Sequence, residues 1–142
     1  MYTLGGEYVA VESWGWRVSE NHKTVLVVDD DESMVRALSI KLRDAGYTVF
    51  VAMDALQAVT QAQKREPDLV ILDVRMPAGG GINVMDKLSH SIKTRRIPVI
   101  VMTALEDPEI QEQANSFGVL SQFFKKPFDT TRMLEAVARA LP

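Results

Sequence analysis

Three short apolar runs in this 142-residue chain end in a polar group able to do chemistry: Val-Leu-Val-Val before Asp29 and Asp30, Val-Ile-Leu before Asp73, and Val-Ile-Val-Met before Thr103. A fourth, Phe123-Phe124, runs into Lys125, Lys126 and Pro127. Apolar runs of this length read as strands of a buried parallel sheet, and ligands of such sheets bind in the crevice beyond the carboxyl ends of the strands. Three carboxylates, a hydroxyl and an ammonium meeting there would cradle a divalent cation and a phosphoryl group. Two carboxylate charges about 5 Å apart repel by roughly 3 kcal/mol at an effective dielectric of about 20. A hard cation relieves that repulsion, and Mg2+, with Mn2+ as a substitute, takes a small set of oxygen ligands while keeping room for water and a phosphoryl oxygen.

The residue types then divide the work. Asp30 and Asp73 are expected to bind the metal directly and Asp29 through water, with the backbone carbonyl of Arg75 completing the protein ligands. Asp73 can act as a nucleophile on phosphorus and form an aspartyl phosphate. Lys126 offers a flexible point charge to a remaining phosphoryl oxygen. Strand alternation puts Lys125 on the other side, as a surface lysine. Thr103 has Glu106 three residues later, as in a capping box, but Asp107-Pro108 is the better helix start. The Thr103 hydroxyl is thus assigned to the transferred phosphoryl, with room for it beside the backbone of Ala104. Taken alone, Asp29-Asp30-Asp31 would read as a loop and helix N-cap. The other strand ends turn that triplet into part of a site.

Positioning these groups requires strands that end at one edge. From Thr24 onward, strand-like runs alternate with helix-like segments, the signature of βαβ units. The strands predicted are Thr24–Val28, Thr48–Ala52, Leu69–Asp73, Val99–Met102 and Gln122–Lys125. Between the first two, Met34, Ala37, Leu38, Lys41, Leu42 and Ala45 mark a helical stripe stopped by Gly46. Asp54 caps a second helix with Gln57 three residues on, and a third runs from about Gly81 to His90. Asp107-Pro108 starts a fourth, and Asp129 caps a fifth whose buried face is Met133, Leu134, Val137 and Leu141. Residues 1–23 form an extension with Tyr2, Tyr8, Trp14 and Trp16 and no helical period. It reads as loosely ordered, as a short added strand or hairpin around Tyr8–Ser13, or as an anchor on this or another protomer through its tryptophans.

Bulk composition sets limits. One domain fits the length, with 46% hydrophobic residues to build its core. A net charge of −3 brings no general attraction to nucleic acid or anionic membrane, and Lys93, Arg95 and Arg96 form only a short basic cluster. No cysteine is present, so disulfides and zinc thiolate sites are excluded. Neither a signal peptide nor an apolar stretch approaching 18 residues is found. The expectation is a soluble cytoplasmic protein that binds neither nucleic acid nor membrane directly.

Taken together, Val27-Val28-Asp29-Asp30, Asp73 followed by Met76-Pro77, Thr103-Ala104, and Lys126-Pro127-Phe128 resemble the receiver domain of two-component response regulators. The resemblance spans about Thr24 to Leu141, so residues 1–23 stand as an extension and 24–142 as the receiver domain. It implies an α/β, flavodoxin-like (βα)5 fold, a doubly wound parallel sheet in the order 2-1-3-4-5. It also implies Mg2+-dependent transfer of phosphate onto Asp73 from a histidine kinase or histidine phosphotransfer protein, and a cis Lys126-Pro127 peptide. Such a protein is a phosphoacceptor rather than an enzyme in the ordinary sense. Phe123 matches the family's switch aromatic, turning inward as Thr103 moves toward the phosphoryl group. Phosphorylation would bias the face formed by the fourth helix, fifth strand and fifth helix, which serves a downstream target, an output domain or a homodimer.

Two positions depart from many relatives. Arg75 and Leu105 stand where an amide or acid could orient attacking water, and leucine has no hydrogen bond to offer, so slow self-dephosphorylation is expected. The acidic or polar residue usual near Gly80 is also absent, and Gly79-Gly80-Gly81 reads as an unusually free loop. The main rival is a phosphatase resembling the haloacid dehalogenase group, since Asp29-Asp30-Asp31-Glu32-Ser33 fits Asp-x-Asp-x-Ser, but it leaves Asp73 without a role. A flavin or dinucleotide binder lacks the required glycine context. No output domain follows Pro142, so either a stand-alone receiver or a piece of a larger regulator is expected.

Overall fold

The computed structural model describes residues 3–4, 7–8, 22–75, 80–104 and 107–142. Five parallel strands, β1 (Thr24–Val28), β2 (Thr48–Ala52), β3 (Leu69–Asp73), β4 (Val99–Thr103) and β5 (Leu120–Lys125), form one sheet in the order β2-β1-β3-β4-β5. Helices α1 (Glu32–Asp44), α2 (Ala55–Arg65), α3 (Gly80–Ser89), α4 (Pro108–Asn115) and α5 (Thr130–Ala140) alternate with them. The expected flavodoxin-like architecture and strand order are present. Apart from this sheet, Thr3–Leu4 pairs antiparallel with Glu7–Tyr8. Residues 9–21, with Trp14 and Trp16 and most of the run expected to alternate, lie outside the described residues.

Successive side chains of a strand face opposite ways, and both faces of this sheet are covered. Leu26, Val28, Val70, Leu72, Val99 and Val101 pack toward α2, α3 and α4, whereas Val25, Val27, Ile71, Ile100 and Met102 pack toward α1 and α5. All five residues of β3 and of β4 are buried, which is why those runs lack polar alternation. The edge strands β2 and β5 are only partly covered. A slip of one residue would exchange the two cores, so the register is strongly held. That register brings the strand ends level: Val28 pairs with Leu72, Asp73 with Met102, and Thr103 with Lys125.

Helix starts follow local chemistry. Asp31, Asp54, Asp107 and Asp129 are N-caps whose carboxylates accept backbone N–H groups of the first turn. Gln57 also turns its side-chain oxygen back to accept the N–H of Met53 at 2.9 Å, one residue before the cap rather than at Asp54 itself. Gly46, at φ +102°, ends α1 in a conformation that a Cβ disfavours.

Several expectations are corrected. β4 includes Thr103, β5 begins at Leu120 rather than Gln122, and α3 runs Gly80–Ser89 rather than from Gly81 to His90. The buried side of α1 is Val35, Leu38, Ser39 and Leu42, while Ala37, Lys41 and Ala45 face solvent. The β-branched Val35 draws more apolar area inward than the small Ala37 and Ala45, and turns the helix accordingly. On α5, Met133, Ala136 and Val137 are buried, with Leu134 and Leu141 at the margin. Gly80 and Gly81 do not belong to a free loop; they are buried in the first turn of α3. No helix is long and apolar enough to cross a membrane, among the described residues.

Leu72 is fully buried in the central strand beside the site. Leu72→Ala is expected to lower unfolding free energy by about 2–5 kcal/mol through lost burial and a residual cavity. Asp54→Ala, which only uncaps α2, should cost about 1 kcal/mol. Urea unfolding of the two variants checks both the values and their order.

Candidate functional site

Asp29 is the first residue beyond β1 and is fully buried. Its N–H donates to the carbonyl of Ala52 at 3.2 Å, which ties it to the end of β2. Its Oδ1 accepts the N–H of Asp31 at 3.0 Å, so the carboxylate is turned back over the loop. Asp73 is the last residue of β3, 4% exposed, and its Oδ1 accepts the N–H of Arg75 at 2.8 Å. Lys126 directly follows β5, is joined to Pro127 by a cis peptide, and donates its N–H to the carbonyl of Thr103 at 2.8 Å. From there its Nζ donates to Oδ2 of Asp29 at 2.5 Å and to Oδ2 of Asp73 at 3.1 Å.

Asp30 is exposed at the rim, yet carboxylate oxygens of Asp29, Asp30 and Asp73 all lie within 4.8 Å of one another. The three acids expected to share a metal are thus together. Three carboxylates and one ammonium leave a formal charge of −2 on a set of hard oxygen donors, the chemistry that suits a divalent cation. Thr103 closes β4, fully buried, and Ala104 follows it at the surface. Arg75 has its backbone at the site and is itself exposed. Lys125 is exposed and Lys126 is turned in, as alternation required. Met76, Pro77, Gly79, Leu105 and Glu106 lie outside the described residues.

The two phenylalanines of β5 part company. Phe124 is buried on the α5 side, its ring centroid 5.7 Å from that of Phe128. Phe123 is half-buried against the core on the α4 side. Sequence reading missed the backbone groups that hold the acids: the Ala52 carbonyl and the N–H groups of Asp31 and Arg75. The signal for the N–H groups was local, since an aspartate two residues before a turn N–H is a common Asx arrangement. No pattern pointed to Ala52, whose carbonyl is supplied by sheet register.

Burial raises the Asp73 carboxyl above its ordinary 3.8, and the Asp29 charge adds to the rise. The opposing N–H of Arg75 and the Lys126 ammonium do not cancel it. Burial opposes the Lys126 ammonium as well. Hydrogen bonds to Asp29 and Asp73, with their charges, outweigh that burial and hold Lys126 above its ordinary 10.5. Lys126 therefore contributes stability that is fully present below pH 10.5 and lost as pH climbs through its raised folded value.

Asp73 has the opposite consequence. The folded state holds its proton more tightly, so stability falls as pH rises from 3.8 through the raised value. Asp73→Asn in chelator-treated protein is expected to match the parent below pH 3.8 and to exceed it at neutral pH. Lys126→Met leaves two buried carboxylates without their ammonium and should cost about 3 kcal/mol at neutral pH. Urea unfolding across a pH series reads both effects; a destabilised Asp73→Asn at pH 7 would contradict burial as the dominant cause.

The family model for the response regulator receiver domain matches residues 25–138. The response regulator PleD of Caulobacter vibrioides is 42% identical over 117 residues, 82% of this chain and 25% of that protein. Sporulation initiation phosphotransferase F of Bacillus subtilis is 32% identical over 121 residues, 85% of this chain and 95% of that protein. The chain thus spans about a quarter of one relative and almost all of another. Among solved structures, the chemotaxis response regulator CheY4 of Vibrio cholerae superimposes with a TM-score of 0.78 at 30% identity, covering 85% of this chain and 100% of that one. The phosphatase reading, which gave Asp73 no role, is displaced by that match and by the enclosure of Asp73 beside Lys126. With the strand order, the acid cluster and the family match in agreement, the chain belongs to the receiver domain family of two-component response regulators.

Proposed function

We propose that Asp73 accepts a phosphoryl group from a phosphohistidine, on a histidine kinase or histidine phosphotransfer protein, in a Mg2+-dependent reaction. The observation that carries this reading is Asp73 at a buried strand end, its Oδ2 bonded to Lys126 and its carboxylate within 4.8 Å of those of Asp29 and Asp30. The P–N bond of the donor breaks as a P–O bond to Asp73 forms, and the departing imidazole nitrogen keeps the electron pair and takes up a proton. Asp29, Asp30, Asp73 and the backbone carbonyl of Arg75 would hold the ion. When bound, Mg2+ supplies charge compensation for the phosphoryl oxygens.

The chain's own groups supply position. Arg75 N–H holds Oδ1 of Asp73 and so orients the carboxylate before the donor arrives. The Lys126 ammonium stands beside the incoming oxygens, and Thr103 and Ala104 receive the transferred group on the β4 side. Thr103 and Phe123 then act as the switch, because Phe123 is half-buried on β5 and can move at less cost than a core side chain. The face of α4, β5 and α5 serves a protein target, an output domain or a second copy. The domain occupies residues 24–142 after an extension over 1–23, and it works in the cytoplasm without contacting membrane or nucleic acid itself. DNA binding belongs to the name of one relative, the transcriptional regulator RpaA of Synechocystis, of which the chain spans 48%.

Labelling with phosphoramidate in Mg2+ is expected for the parent, to vanish in Asp73→Asn, and to vanish on chelation. Retained labelling in Asp73→Asn would overturn the assignment. Exposed Arg75 and the leucine type of residue 105 offer no acid or amide to attacking water, so decay of the label is slow. Arg75→Asn and Leu105→Glu should quicken that decay; an unchanged rate in both removes these residues from control of hydrolysis.

A further inference from the structure

We propose that Gly81, together with Gly80, is a positioning residue of the phosphoacceptor site, seating α3 on the backbone that leads from Asp73 to Arg75. The inference rests on the reading of Asp73 as phosphoacceptor. A Cβ on Gly81 would stand 2.5 Å from the Cα of Val74 and 2.6 Å from the carbonyl oxygen of Asp73. One on Gly80, at φ +61°, would stand 2.6 Å from the carbonyl oxygen of Val74. Gly81 also donates its N–H to that Val74 oxygen at 3.1 Å. These neighbours are backbone atoms, with no side-chain end to swing away.

Ordinary contact begins at 3.4 Å. A methyl on Gly81 would therefore force a displacement of about 1 Å between helix and strand end. Neither body yields readily. Val84, Met85 and Leu88 hold α3 in the core, and Asp73 is paired with Met102 inside the sheet. The displacement falls on Val74 and Arg75, where the chain leaves the sheet. It would separate the Arg75 N–H from Oδ1 of Asp73, now at 2.8 Å, and carry the Arg75 carbonyl away from the acids. Gly81 thereby sets the spacing of two metal ligands without touching either metal or phosphate.

The test compares Gly81→Ala with Leu88→Ala, a buried substitution at the far end of α3 that should destabilise without reaching the site. Mg2+ affinity is measured by calorimetry and labelling rate with phosphoramidate. Gly81→Ala is expected to bind Mg2+ more weakly and to label about 100-fold more slowly, the cost of a misplacement of about 1 Å. Leu88→Ala should keep both values near the parent's. Should Gly81→Ala not fold, Gly80→Asn carries the test, since asparagine tolerates the left-handed φ and leaves the Val74 contact as the perturbation. A folded glycine variant with the parent's Mg2+ affinity and labelling rate overturns the seat. A parent that cannot be labelled at Asp73 overturns the underlying reading instead.

Discussion

One ammonium between two buried carboxylates organises this molecule. Asp29 and Asp73 are almost wholly removed from water, and the hydration each loses is replaced by one backbone N–H and by the shared Lys126 ammonium. Lys126 serves both at once, which forces β1, β3 and β5 to end at the same level. A lysine anchored one residue earlier would face the opposite side of the sheet. The cis peptide after Lys126 and the hydrogen bond from its N–H to Thr103 mark how closely the strand end is tied to its neighbour.

The arrangement is stable but electrically incomplete. Two acids meet one base inside, and a third acid stands at the rim, so the cluster keeps a negative charge that a small divalent ion can answer. Asp73 reveals the imbalance, since burial and the Asp29 charge outweigh what Arg75 and Lys126 return. A carboxylate made uncomfortable in this way has more to gain from a cation than one already well satisfied. Preorganisation and discomfort come from the same burial.

Much of this was legible in the chain because strand burial and strand ends both leave marks in residue order. Five apolar runs, four of them ending in reactive groups, announced both the parallel sheet and the edge at which the site lies. Caps at Asp54, Asp107 and Asp129 follow from side chain to backbone distances of two or three residues and need no tertiary information, whereas the cap at Asp31 was set aside in favour of the site although the structure shows it. The face of α1 was less legible, because an alanine and a valine both count as apolar while only the larger has much to gain from burial. Gly80 and Gly81 were misread for a related reason. A glycine tolerated for flexibility and one demanded by a backbone pressed against it look identical in sequence, and only the structure separates them, since a Cβ on Gly81 or Gly80 would fall 2.5 or 2.6 Å from backbone atoms of Val74.

The contacts that close the site join residues far apart in sequence, 97 positions for Lys126 to Asp29 and 53 for Lys126 to Asp73. No short segment contains all of its groups, so the site depends on strands β1, β3 and β5 being assembled together. Its parts are nonetheless held with unequal firmness. β3 and β4 are buried along their full length, and they fix Asp73 and Thr103, whereas β5 is an edge strand with half-exposed residues and supplies Lys126 and Phe123. The same lysine that satisfies the buried carboxylates thus stands at the end of a partly covered edge strand, while the carboxylate of Asp73 is held by a strand buried along its whole length.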